Sequence, residues 1–154
     1  MKKTLFLSIF LLAAVSGLSA QEKGRWALGP MVNVYANTGV GGVVGIGPVM
    51  RYNLLDGLRI EPSVMILTAK GSSVDVACNL HYAFEVARNW YLYPIAGISF
   101  NDLYKFAFGF NLGGGFDYSI AYHWDLTLNV KWLGQCASSR RNPIVSTVGL
   151  FYKF

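Results

Sequence analysis

The sequence is poor in charge. Only 14% of its 154 residues are Asp, Glu, Lys or Arg, against 53% that are hydrophobic. A soluble domain of this size carries more charge, so the excess apolar surface requires either an unusually large core or a lipid environment. Cysteine is scarce as well, with Cys78 and Cys136 the only two. That excludes a disulfide-rich scaffold. Their spacing is not that of metal ligands, and their expected places, mid-strand and loop tip, argue against a bridge. Beyond residue 20 no run of about 18 apolar residues occurs, which excludes a second membrane helix, and heptads and helical stripes are missing too. The formal charge of +5 includes Lys2 and Lys3, which the export reading below removes, so no nucleic-acid partner is expected.

What is present begins with a targeting segment. Lys2 and Lys3 form a basic start, Leu5 through Val15 an apolar stretch, and Leu18-Ser19-Ala20 a cleavage site of small residues. This pattern reads as an exported precursor, with residues 1–20 a cleaved signal peptide and 21–154 one domain. No Cys follows the apolar stretch, so a lipoprotein is not expected.

The rest of the chain divides into eight runs rich in Val, Ile, Tyr, Phe and Trp, at 26–35, 43–52, 58–68, 74–84, 90–100, 104–116, 124–133 and 144–154. Gly, Asn, Asp and Ser clusters separate them. Each is about ten residues long, the length that a tilted strand needs to cross a bilayer. Side chains on a strand alternate between two faces. The even positions carry residues such as Leu28, Ile46, Val64, Val76, Ile98, Phe110, Val130 and Val148, and no charge. The odd positions carry Gly29, Gly47, Gly97, Gly113 and Gly149 together with Asn33, Arg51, Arg59, Glu61, Asp75, Asp125 and Lys153. A soluble barrel would bury the bulky set and show a glycine-rich face to water, where glycine adds neither strand propensity nor solubility. A membrane barrel turns the bulky set to lipid and packs the small and polar set into a narrow lumen. The second arrangement accounts for the glycines. The expected fold is therefore all-β: an eight-stranded antiparallel up-and-down transmembrane β-barrel. Since open sheet edges do not survive in hydrocarbon, its first strand must pair with its last.

With both termini periplasmic, the inner turns fall near 53–57, 85–89 and 118–123. The outer loops fall near 36–42, 69–73, 101–103 and 135–143, the last carrying Arg140 and Arg141. Aromatic residues then gather at strand ends, where amphipathic rings favour the headgroup level. Trp26, Tyr52, Tyr82, Trp90, Phe116, Trp124 and Phe154 form the inner girdle; Trp132, with Phe100 and Tyr104, marks the outer one.

Three segments carry a resemblance. Val148-Gly149-Leu150-Phe151-Tyr152-Lys153-Phe154 ends the chain on an aromatic, with alternating apolar residues behind it. It resembles the C-terminal signal that the barrel-insertion machinery reads. Trp90-Tyr91-Leu92-Tyr93-Pro94-Ile95-Ala96-Gly97 and Gly113-Gly114-Gly115-Phe116-Asp117-Tyr118, followed by Trp124-Asp125-Leu126-Thr127-Leu128, also look like this class. Together they are similar to the eight-stranded outer-membrane protein A-like and X-like barrels. The resemblance implies fold and location in the outer membrane of a Gram-negative cell, and no reaction.

Register arithmetic places a polar network in the lumen. A turn near Gly71 sets Glu61 opposite Asn79 or His81, a turn near Ala87 sets His81 opposite Tyr93, and a turn near Ile120 sets Asn111 beside Asn129 or Lys131. Glu61 and His81 have the types of a general acid–base pair. No nucleophile accompanies them, and ions enclosed in a barrel pair because unpaired ones are costly, so a structural plug is the expectation. The glycines near Gly39 and Gly41 lack the spacing and the following helix of a nucleotide loop. No catalytic residue, cofactor or metal is expected. The reading is a monomeric, non-enzymatic envelope barrel with structural or surface-contact duties. Its partners would be outer-membrane lipids, lipopolysaccharide and, through Phe154, the insertion machinery. A lipid-modifying enzyme, a narrow channel and a soluble periplasmic ligand-binding barrel are the alternatives.

Overall fold

The computed structural model describes residues 23–39, 41–68, 73–103, 106–136 and 141–154. The signal segment, Tyr104 and Arg140 lie outside the described residues. The strands are β1 (Trp26–Ala36), β2 (Val43–Asn53), β3 (Leu58–Leu67), β4 (Ser73–Tyr82), β5 (Phe84–Ala87), β6 (Trp90–Asn101), β7 (Ala107–Ala121), β8 (Trp124–Gln135) and β9 (Ile144–Lys153). Neighbouring strands pair antiparallel, except that β4 and β5 both pair with β6, and β1 also pairs with β9.

β4 and β5 form one stave. Both lie against β6, the break between them is at Ala83, and the register on either side of it is continuous. Ala83 turns its N–H to the Gly57 carbonyl at 2.7 Å, just before the start of β3. The barrel therefore has eight staves in up-and-down order and no free edge, which satisfies the backbone all the way round.

The two faces separate as the alternation requires. Ile46, Ile66, Ile98, Leu112, Val130 and Val148 are exposed on the outer wall, with Ile66 63% accessible. Arg51, Arg59, Glu61, Asp75, Asp117, Asp125 and Lys131 are buried inside. The lumen is not lined by small and polar residues alone. Met31, Val49, Met65, Leu133, Val145 and Phe151, all at odd positions, fill it as well. An eight-stave lumen is only as wide as its side chains, so space left by the glycines is taken up by these larger neighbours.

Two hairpins differ from the sequence expectation. The segment 85–89 is strand as far as Ala87, with the turn at Arg88 and Asn89. The segment 118–123 is strand as far as Ala121, with the turn at Tyr122 and His123. Asn89 takes a left-handed φ of 67°, a conformation that Asn tolerates well. Tight turns at these positions let β5 and β7 run further toward the end of the barrel that holds both termini.

Candidate functional site

The lumen holds three layers of polar chemistry. At the end near the termini, Lys153 Nζ donates to Asp125 Oδ1 at 2.7 Å and Ser119 Oγ donates to the same oxygen at 2.6 Å. These residues line an open vestibule of about 510 Å³, together with Arg25, Tyr91 and Tyr122, and Arg51 is part of its lining.

Below the vestibule lies a plug centred on Asp117. Arg59 Nη1 donates to its Oδ2 at 2.5 Å, Thr127 Oγ1 to its Oδ1 at 2.6 Å, and Arg51 Nη1 lies 3.4 Å from both oxygens. Arg51 also donates through Nε to Glu61 Oε2 at 2.5 Å. Its guanidinium lies 3.6 Å from the Phe151 ring centroid, and that of Arg59 4.4 Å from the Tyr93 centroid. Two carboxylates and two guanidiniums thus share one enclosed layer. Charge-assisted bonds of this kind are the strong ones, and planar guanidinium suits them better than ammonium.

Toward the opposite end, Asp75 accepts from Tyr35 Oη at 2.6 Å and from Ser99 Oγ at 2.8 Å. Asn33 donates to the Tyr35 hydroxyl oxygen and accepts from Thr147.

Glu61, Asn79, His81, Tyr93, Asn111, Asn129 and Lys131 are all buried in the lumen. Glu61 faces Asn79 across β3 and β4. His81 pairs with Ile95 rather than Tyr93, because the hairpin turns about one residue later than the sequence suggested. The His81 and Tyr93 rings nevertheless stack, with centroids 4.8 Å apart. Asn111 does not meet Asn129 or Lys131. It faces Leu133 across β8, because that hairpin turns at Tyr122 and His123, and its amide donates to Asn79 on the other side. Asn129 and Lys131 instead face Gly115 and Gly113. His81 Nε2 stands 3.7 Å from Glu61 Oε1, and neither has a nucleophile against it among the described residues.

Sequence reading missed Asp117 and Thr127. It ended the sixth run at 116 and so left Asp117 outside the strand. The signal was there: Asp117 continues the odd-numbered, inward register of Asn111, Gly113 and Gly115.

The aromatic residues fall on the outer wall. Trp26 pairs across strands with Tyr52, Trp90 with Tyr118, and Trp124 with Tyr152, at ring separations of 4.4, 4.8 and 5.2 Å. Tyr82 faces Leu58, Phe116 packs on Trp90, Phe154 packs on Tyr152, and Trp132 lies toward the other end, opposite Ile144. Tyr118 and Tyr152 belong to this rim and were not anticipated. Cys78 is half-buried and Cys136 exposed; both are free thiols.

No protein-family profile matches the chain, and no curated protein matches it. Solved structures do. The N-terminal β-barrel domain of Pseudomonas aeruginosa OprF superposes with a TM-score of 0.72 at 12% identity, covering 87% of this chain and 100% of that one. Neisserial surface protein A superposes at 0.65 with 17% identity, covering 86% and 98%. A de novo designed transmembrane β-barrel gives 0.66 with 18% identity, covering 88% and 99%. Identities this low carry the architecture and nothing finer. With its closed eight-stave wall, apolar outside and ion-paired inside, the chain has the fold of the small outer-membrane β-barrels.

Proposed function

We propose that this protein is an integral barrel of a bacterial outer membrane whose work is mechanical, namely filling and bracing the bilayer and meeting its neighbours there, without turnover of a substrate. The observation that carries this reading is the plug. Arg51, Arg59, Glu61 and Asp117 are each at most 3% exposed and occupy the cross-section between the two ends. A lumen closed by mutually paired ions favours rigidity over passage, since removing a partner from such a pair is costly. The apolar wall and its Trp–Tyr rim support residence in a bilayer with the termini on one side. The chain acts as a monomer. Lipids and lipopolysaccharide are its lateral neighbours, and its last strand, ending at Phe154, is the segment offered to the insertion machinery.

Membrane fractionation joined to a heat-modifiability gel tests the reading. The expected result is an outer-membrane band that runs faster unheated than boiled. Recovery from the soluble periplasm would overturn it. A lipid-modifying activity would appear as altered lipid A on deletion of the gene; unchanged lipid A is expected.

A further inference from the structure

We propose that the lumen holds a small inorganic anion of the halide class, bound between Lys131, Tyr93, His81 and Arg51 beside the glycine wall of β7. Buried polar groups need partners, and each exception calls for an explanation. Arg51 Nη2, His81 Nε2 and the Tyr93 hydroxyl are buried without a hydrogen-bond partner, the nearest carboxylate oxygen to His81 Nε2 being Glu61 Oε1 at 3.7 Å. Arg59 Nε donates to His81 Nδ1 at 3.1 Å, so the neutral ring carries its hydrogen on Nε2 and that atom is a donor. Lys131 is 4% exposed, and among the described residues no carboxylate lies within ion-pairing distance of it.

These groups belong to one region. Tyr93 stacks on His81 and under Arg59. Its hydroxyl lies against Gly115, where a Cβ would meet both the Tyr93 oxygen and Asn129. Lys131 lies opposite Gly113, two residues along the same strand. Gly113 and Gly115 let the β7 backbone pass directly against Lys131, Asn129 and the Tyr93 hydroxyl, which a side chain at either position would displace.

Charge points the same way. Arg51 and Arg59 are matched by Glu61 and Asp117, and the buried Lys131 adds a third positive charge to the interior. Of the remaining interior carboxylates, Asp75 is taken up by Tyr35 and Ser99, and Asp125 by Lys153. Among the described residues, Asn129 Oδ1 and, further along the barrel, Gln135 Oε1 are the buried side-chain acceptors without a partner. Water brings as many donors as acceptors and leaves that imbalance in place, whereas a halide only accepts. A ligand that binds the folded barrel stabilises it by mass action.

The test uses the full-length mature protein refolded in detergent. Unfolding midpoints are compared in sodium chloride, sodium bromide and sodium gluconate at equal ionic strength, and crystals grown in bromide are examined for anomalous scattering. The expected result is a higher midpoint in both halides and a bromide peak within hydrogen-bond distance of Lys131 Nζ and the Tyr93 hydroxyl. Lys131→Met should abolish the halide-dependent part of the midpoint. Should that variant not fold, Tyr93→Phe, which keeps the ring stacking, should reduce it. Equal midpoints in all three salts, water without anomalous signal at the position, or bromide confined to surface cations (an adventitious ion only) would each overturn the proposal.

Discussion

Asp117 shows how one carboxylate can organise a lumen. It accepts from two guanidiniums and from the Thr127 hydroxyl and is itself fully enclosed. Removing one member of such a set leaves the others buried without compensation, at a cost of about 3–5 kcal/mol. Asp117→Asn should lower stability by that order in urea titrations of the detergent-refolded barrel, and Glu61→Ala, which strips Arg51 of its second partner, should act in the same direction. Thr127→Val removes a single neutral donor and should cost about 1 kcal/mol. An Asp117→Asn barrel as stable as the parent would mean that the plug is not assembled as described. The inward set was legible from the parity of positions alone. Its hub was not, because parity says nothing of where a hairpin ends, and Asp117 was assigned past the end of its strand. The stacking of Arg51 on Phe151 was equally hidden, since Phe151 is a bulky residue at an inward position and the alternation alone reserved those positions for small or polar ones.

At the scale of the strand, closure depends on close backbone approach. A Cβ built on Gly29 would fall on the Leu150 carbonyl of β9, so this glycine is required for β1 and β9 to meet. Gly42, in the loop between β1 and β2, has nothing within 4 Å of a built Cβ. Gly29→Ala should therefore destabilise the barrel by about 1–3 kcal/mol through overpacking, and Gly42→Ala should not. Urea midpoints of the two variants check this, and equal midpoints would contradict it. All eight runs read from the sequence are staves, because period two with turn residues at intervals is a strong signal. The errors lie at the strand ends: at the far end β7 begins at Ala107 rather than 104 and β8 runs on to Gln135, and the larger misses are near the termini. There Glu85 and Tyr118 were given to turns, although the chain continues as strand until Asn89 in one hairpin and Tyr122 in the other allow it to reverse. The same one- or two-residue displacement moved the β8 partner of Asn111 from Asn129 or Lys131 to Leu133.

At the scale of the molecule, the decisive property is that the wall is apolar outside. An arginine at the bilayer midplane of a barrel wall costs about 2–4 kcal/mol. Val130 is 53% exposed in the middle of β8, so Val130→Arg should carry that cost in lipid vesicles. The same change on a wall facing water would be close to neutral. The central claim is tested most directly by spin labels placed singly at Ile46, Ile66, Leu112 and Val130 after Cys78 and Cys136 are replaced by serine, with the barrel in lipid bilayers. The account predicts strong relaxation by dissolved oxygen and little by a water-soluble nickel reagent at all four positions. Labels shielded from oxygen, or reached by the nickel reagent along the length of the strands, would contradict it.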